Sequence, residues 1–230
     1  MAESFHLLEE ALRSERDVSC VLVAASVKSA VERHVRGLRW PRVYVLEDSL
    51  FAGLSSTENS QGVLALVRPP TWTLDELFRG QSLVIVLDGV QDPGNAGAIV
   101  RAGEAFGATG CIFLKGSVNP YNPKTLRAAA GSMFRLPVVS GLETDLARAE
   151  IGQRRVDLYA AMPDGKRSLR DADLTRKFAV LVGSEGQGVS AKLRSGAMDL
   201  RVPTTGVESL NVAMAAGVIL YEASRQRVLR

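Results

Sequence analysis

Hydrophobic positions recur along the chain with two alternating periods. Before Val67, FHLLEEALRSE carries apolar residues at helical spacing, SCVLVAA reads as a strand, VKSAVERHVRGL as a helix and RVYVLE as a strand. SLFAGLSS and QGVLALV follow as a helix and a third strand. The alternation stops at RPPTWTLDELFRGQ, where consecutive prolines favour extended backbone and mark a linker. It restarts at Ser82 with longer units. SLVIVLDGV and FAVLVGSE are continuous apolar runs of the kind buried on both faces of a parallel sheet. CIFLKG, LPVVS, VDLYAAM and LRVPT complete the strands. NAGAIVRAGEAFGA, NPKTLRAAAGSMF, LETDLARAEIGQRR, VSAKLRSGA and SLNVAMAAGVILYEASRQR supply helices between and after them.

Strands alternating with crossover helices predict an α/β protein whose larger part is a mainly parallel sheet covered on both sides. The expected organisation is a small α/β domain over residues 1–68, a linker over 69–81 and a larger domain over 82–230. Ligands of such sheets bind beyond the carboxyl ends of the strands, so polar clusters at those ends are the places to look for chemistry.

Composition narrows this picture a little. No apolar run approaches the roughly 20 residues needed to span a bilayer. The acidic, amphipathic start MAESFHLLEEALRSER is neither a secretory signal nor an Arg-rich transit peptide, so a cytoplasmic location is expected. Cys20 and Cys111 sit in apolar strand runs, and neither a disulfide nor a metal site is expected. Acidic and basic residues nearly balance up to Pro70, 9 against 8, whereas the remainder carries 20 basic against 16 acidic. That excess is compatible with a polyanionic partner without requiring one.

Three polar clusters follow strands. In LDGVQDPGNAGAIVRAGEAFG, Asp92-Pro93-Gly94 makes a turn and Asn95 is a candidate helix N-cap. Arg101 lies six residues on in an apolar setting, where a ligand or simple snorkelling to solvent could account for it. In LVGSEGQGVS, glycines at 183, 186 and 188 follow a buried strand with GxxGxG spacing, which is not the dinucleotide GxGxxG, and there is no P-loop lysine. That loop suits close approach of backbone to a ligand, with Glu185 as one fixed carboxylate; a plain strand-to-helix turn with a solvated Glu is the alternative. In VPTTGVESLNVAMAAGVILY, Ser209 is a candidate N-cap of a helix apolar on nearly every side, buried by core or by a second subunit. A cap at Ser209 leaves Glu208 and Asn211 unexplained.

These three clusters closely resemble, in order, the three motifs of the SpoU/TrmH family of RNA 2'-O-ribose methyltransferases in the SPOUT superfamily. NPKTLRAAAGSMFRLPV also resembles a family block, and the N-terminal segment is similar to the family's ribosomal-protein-like substrate-binding domain, except that Glu3-Ser4 stands where the family usually has a glycine before the first helix. The resemblance implies a deep trefoil knot in the C-terminal domain, S-adenosylmethionine held by the segments around 183–188 and 204–211, and a homodimer formed through the motif-one and C-terminal helices. It implies that Arg101 is the catalytic residue, with Asn95, Glu185, Ser209 and Asn211 orienting it and the ribose. Cofactor contacts fall on Gly183, Val202 and Leu210, and on Ala161. A guanidinium rarely releases its proton, so Arg101 is expected to clamp a phosphate and stabilise the nascent alkoxide.

RNA binding is expected to be mainly electrostatic. Arg36 and Arg39 with Trp40, in a basic run from Arg33 to Arg42, are its N-terminal candidates; a solvated helix face with a packed Trp is the alternative. Ribosomal RNA is preferred over transfer RNA by resemblance. A non-catalytic RNA-binding or ribosome-assembly factor and a nicotinamide-dependent oxidoreductase are the competing classes, the second weakened by the missing GxGxxG.

Overall fold

A computed structural model of the chain describes residues 1–35, 41–57 and 59–228. Arg36, Arg39 and Trp40, the N-terminal RNA-binding candidates, lie outside the described residues.

The N-terminal part runs β1 (Ala2–Glu3), α1 (Phe5–Arg13), β2 (Val18–Ala24), α2 (Lys28–His34), β3 (Val43–Leu46), α3 (Asp48–Ala52) and β4 (Val63–Val67). Its sheet has the order β1-β4-β2-β3, with β4 antiparallel to both neighbours and β2 parallel to β3. Ser4 caps α1, its hydroxyl accepting from Leu7 N at 3.0 Å. Glu3 is buried and receives five hydrogen bonds, from the hydroxyls of Ser55, Ser56, Thr57 and Ser60 and from Ser56 N. Burial alone would raise its pKa; these donors outweigh it and hold the carboxyl down at about 2.

The connecting segment is not all extended. Leu74–Leu77 form a one-turn helix, α4, because the Glu76 carboxylate accepts from both the backbone N–H and the hydroxyl of Thr73. Leu77 of this turn sits where any side chain at Gly110 would fall, with Leu77 Cγ 2.2 Å from the position of a Cβ there.

The C-terminal part runs β5 (Leu83–Asp88), α5 (Pro93–Ala105), β6 (Gly110–Leu114), α6 (Pro123–Ala129), β7 (Val138–Leu142), α7 (Thr144–Gln153), β8 (Asp157–Ala161), β9 (Arg167–Ser168), β10 (Phe178–Gly183), α8 (Ala191–Arg194), β11 (Met198–Arg201) and α9 (Val212–Val228). The seven strands are ordered β7-β6-β5-β10-β8-β11-β9, and every pairing is parallel. Central strands β5 and β10 are buried from Leu83 to Leu87 and from Phe178 to Val182, as their continuous apolar runs predict. Burying each large side chain there stabilises the fold by about 1.5–3 kcal/mol. Cys111 of β6 is buried within this layer, which pushes its thiol pKa well up.

Several local assignments differ from the sequence-based expectation. The last strand is Met198–Arg201 rather than LRVPT, and the two-residue β9 carries no hydrophobic signal of its own. The helix expected from Asn122 onward ends at Ala129, because Ala130 and Gly131 both turn left-handed before a short 3-10 turn. Helix α9 is not enclosed all round within one chain. Ala216, Ile219, Leu220 and Ala223 are buried, whereas Met214 is 61%, Val218 36% and Tyr221 55% exposed. α9 packs across α5, with Tyr221 edge-on to Phe106 at 5.7 Å between ring centres.

The C-terminal end of α9 is pinned. Arg227 donates to the carbonyls of Leu174 (3.0 Å), Gln81 (3.0 Å), Ser82 (3.1 Å) and Arg176 (2.6 Å), and its guanidinium lies 5.1 Å from the centre of the Phe178 ring. Burial lowers the pKa of this guanidinium. Gln226 adds bonds to Leu174 N and the Ala172 carbonyl.

Candidate active site

At the carboxyl end of β5 the chain turns through Asp92-Pro93 into α5. Asp92, not Asn95, is the N-cap: its Oδ1 accepts from Asn95 N at 2.6 Å, and Pro93 takes the first helical position, where no N–H is needed. The Asn95 side chain is thereby free for another use. Its Nδ2 donates to Glu185 Oε1 at 2.6 Å, across ninety residues of sequence.

A second cap moves in the same way. The helix of the last motif begins at Val212, and Asn211 rather than Ser209 caps it, Oδ1 accepting from Ala213 N (2.9 Å) and Met214 N (3.3 Å). The other end of that amide points into the cluster, Nδ2 donating to Asn95 Oδ1 at 3.1 Å and lying 3.4 Å from Glu185 Oε1. Asn95, Glu185 and Asn211 therefore form one hub joining the three sequence clusters. Glu185 Oε2 has no hydrogen-bond partner among the described residues.

The loop carrying Glu185 owes its shape to its glycines. A Cβ at Gly183 would lie 1.9 Å from Gly188 C and 2.2 Å from Val189 N, so the strand end and the returning backbone touch. Ser184 O accepts from Gly188 N at 2.9 Å to close the turn, and Gly188 adopts φ +66°. A Cβ at Gly186, by contrast, would have no neighbour within 4 Å.

On one side of this loop lies a cavity of about 660 Å³. Its walls include Ala161, Gly183, Val202 and Leu210, the four positions expected to contact a cofactor, and also Ser209 and Asn211. Val182, Leu200 and Ile219 add apolar surface, and Asp164, Glu185 and Glu208 add carboxylates. No Lys, Arg or His lines it among the described residues. On the other side, at the carboxyl ends of β5 and β10, a crevice of about 800 Å³ is bounded by Asp88, Gln91, Asp92, Asn95, Gly116 and the same loop. The sequence pattern does not single out this crevice. Its one available signal is Asp88, a carboxylate closing an otherwise apolar strand, whose Oδ2 accepts from Ser190 N at 2.7 Å.

Arg101 stands apart from the hub. Six residues beyond Asn95, about 9 Å along the helix axis, it is exposed on α5 and has no hydrogen bond or ion pair among the described residues. No group of three His, Cys, Asp or Glu able to hold a metal occurs among the described residues, and no described helix is long and apolar enough to cross a membrane.

Comparisons with known proteins give the family. Residues 82–221 match the model of the SpoU rRNA Methylase family, and residues 1–65 match the MRM3-like substrate binding domain. The chain is 32% identical to the 23S rRNA (guanosine(2553)-2'-O)-methyltransferase RlmP of Bacillus subtilis, over 96% of this chain and 86% of that protein. It is 34% identical to an uncharacterized tRNA/rRNA methyltransferase of Synechocystis, over 99% of this chain and 84% of that protein. Among solved structures, the SpoU methyltransferase AviRb from Streptomyces viridochromogenes in complex with the cofactor AdoMet superimposes with a TM-score of 0.87 at 27% identity, covering 100% of this chain and 90% of that one.

Proposed function

This chain belongs to the SpoU rRNA methylase family, and we propose that its 660 Å³ cavity and the Asn95–Glu185–Asn211 hub together form the site of its reaction. The protein is an RNA 2'-O-ribose methyltransferase that uses S-adenosylmethionine. Ribosomal RNA is its substrate, as it is for the RlmP and RlmB relatives by their names.

The observation that carries the site assignment is the sign of the cavity wall. S-adenosylmethionine carries an ammonium, a sulfonium and one carboxylate, a net positive charge that three wall carboxylates with no cation suit; they would repel the pyrophosphate of a nicotinamide dinucleotide. The volume lies in the usual range for small-ligand sites, and Val182, Leu200, Val202 and Ile219 offer apolar surface to an adenine ring. Gly183, Val202, Leu210 and Ala161 are the residues we assign to holding it. When bound, S-adenosylmethionine supplies an electrophilic methyl group.

The chain's own side chains must hold the ribose hydroxyl in line, which can contribute roughly 7–11 kcal/mol in favourable cases, and must stabilise charge developing on its oxygen. Glu185 fixes the amides of Asn95 and Asn211 and keeps Oε2 free to accept from the 2'-hydroxyl. Ser209 adds a hydroxyl to the same wall. Arg101 keeps its proton near neutral pH and serves as a clamp on the target phosphate and the nascent alkoxide, with the proton passing onward through phosphate or water.

Arg101 reaches this chemistry in a homodimer. The apolar strip Met214, Val218 and Tyr221 lies open on the packed pair α5–α9, the pair that also carries Arg101. We read the segments 183–188 and 204–211 as the loops of a trefoil knot, residues 1–68 as the RNA-binding domain and 69–81 as its linker, and the cytoplasm as the place of action.

Labelled S-adenosylmethionine with unmodified ribosomal RNA transcripts tests the assignment. Arg101→Ala should lower transfer at least about 100-fold, the scale of losing one transition-state donor, while calorimetry shows cofactor affinity within about twofold of wild type. Near wild-type turnover would remove Arg101 from the mechanism. Absence of cofactor binding at millimolar concentration would identify a vestigial site.

A further inference from the structure

Ion pairing sorts the basic residues of the protein into two sets. Arg135 is engaged by carboxylates: its guanidinium holds Glu104 of α5 through two bonds (2.5 and 3.0 Å) and also contacts Glu10 of α1. Hydrogen bonding to Glu104 is the main reason its pKa is raised. Lys124 and Arg127 on α6 form no ion pair among the described residues, and neither does Arg16, just beyond α1. These three cations sit along one seam between the two parts of the chain.

Their placement is fixed by contacts. Arg16 lies over the Trp72 ring, 5.6 Å from its centre, and its charge is felt by Tyr121, whose hydroxyl is bonded to the Pro70 carbonyl at 3.4 Å. Tyr121 leads directly into α6, where Lys124 and Arg127 are three apart and so share a helix face. Arg127 reaches the loop of the N-terminal part, Nη1 donating to Ser56 Oγ at 3.3 Å. The carboxylate behind that hydroxyl, Glu3, is already saturated by its five donors. On its inner side α6 packs against α5 at Gly97, where a Cβ would lie 2.5 Å from the Thr125 carbonyl. Gly97 is two residues beyond Asn95 and about one helical turn before Arg101.

A row of cations left without carboxylates, running from the N-terminal part to the helix that bears Asn95 and Arg101, is suited to a polyanion. We infer that Arg16, Lys124 and Arg127 form the phosphate track along which RNA passes from the N-terminal domain to the active site. The inference rests on the RNA methyltransferase function proposed above. It assigns RNA contacts to the seam rather than to the helix faces remote from it. The stacking of Arg16 on Trp72 holds that guanidinium in place before RNA arrives, which reduces the ordering cost of binding.

The test uses the full chain and unmodified large-subunit ribosomal RNA transcripts. Binding is followed by fluorescence anisotropy, and transfer with labelled S-adenosylmethionine, across a salt series. Lys124→Gln combined with Arg127→Gln should weaken RNA binding about tenfold or more near 150 mM salt. It should also flatten the log–log salt dependence by roughly 0.7 for each phosphate no longer neutralised, with cofactor affinity unchanged. Arg176→Gln, which removes an exposed cation paired with Asp173, should leave RNA affinity within about twofold. Lys124→Gln alone, at an exposed side chain, provides the same measurement should the double variant fold poorly.

Wild-type affinity and slope in the Lys124 and Arg127 variants would overturn the track. A loss equal to that of Arg176→Gln would overturn it too, as it would reflect net charge alone. Failure of the wild-type chain to methylate any transcript would instead overturn the function on which the track rests.

Discussion

Replacing Arg227 by Met tests how the last helix is held. The wild-type guanidinium donates to four backbone carbonyls from two segments of chain, 81–82 and 174–176, and no carboxylate among the described residues assists it. Bonds involving a charged donor contribute about 1.5–3 kcal/mol each in mutational series. Four such bonds cannot simply be added, because they share one side chain and burying the guanidinium costs part of the gain. Met keeps much of the packing on Phe178, and some of the released carbonyls will reach water. A net loss of about 3 kcal/mol follows from these opposing effects. For a chain of this length each kcal/mol lowers Tm by about 2–4 °C, so calorimetry should show a fall of about 6–12 °C. Hydrogen exchange should accelerate in the last two turns of α9 and at the starts of β5 and β10. Cofactor affinity at 25 °C should be unchanged, because the hub lies at the opposite end of the helix. A Tm within about 2 °C of wild type would show that those carbonyls are satisfied without Arg227 and that packing alone holds the helix end.

Other outcomes follow from particular contacts. Glu3→Gln should cost about 2–4 kcal/mol, because an amide cannot accept from five donors. Since the folded pKa of Glu3 is about 2 against an ordinary 4.5, its contribution is complete above about pH 4.5 and is lost as pH falls towards 2; a wild-type and Glu3→Gln pair whose stability difference stays constant from pH 6 to pH 2.5 would contradict this. Asn211→Ala removes both a helix cap and a hub donor, so it should lower Tm by a few degrees, about 1 kcal/mol, and also lower transfer; loss of only one of the two would separate the roles. Tyr221→Glu places charge in the apolar strip of α9; on the proposed homodimer, sedimentation should show a dimer for wild type and a monomer for this variant, and a monomeric wild type would refute the dimer.

Much of the fold is legible from the run of apolar residues. β5, β6 and β10 are buried on both faces, and such strands declare themselves as unbroken hydrophobic runs. The caps are less legible for a physical reason. Asp92 and Asn95 are both good capping residues three positions apart, as Ser209 and Asn211 are two apart. In the first case Glu185, ninety residues away, recruits the Asn95 side chain and leaves Asp92 as the cap. In the second, one amide of Asn211 serves helix and hub at once. Local propensity contains neither fact. The crevice beside Asp88 is not legible at all, because its walls come from four separated segments of the chain. Arg101 is singled out by resemblance; its apolar neighbours in sequence turn inward to the core while it remains exposed, so periodicity alone reads as snorkelling.

The loop between β10 and α8 sets which changes a protein engineer, or natural drift, can make to the cavity. At Gly183 the returning backbone occupies the volume of any side chain, so this position is closed to variation: even alanine must pry the turn apart. Gly186, three residues on, faces open space. Gly186 borders both the cavity and the crevice, so a side chain introduced there adds to their shared wall without displacing its frame. On the proposed assignment of this cavity to the methyl donor, donors enlarged on the adenine ring are better accommodated by trimming apolar wall residues such as Leu200 or Ile219 than by reshaping the turn.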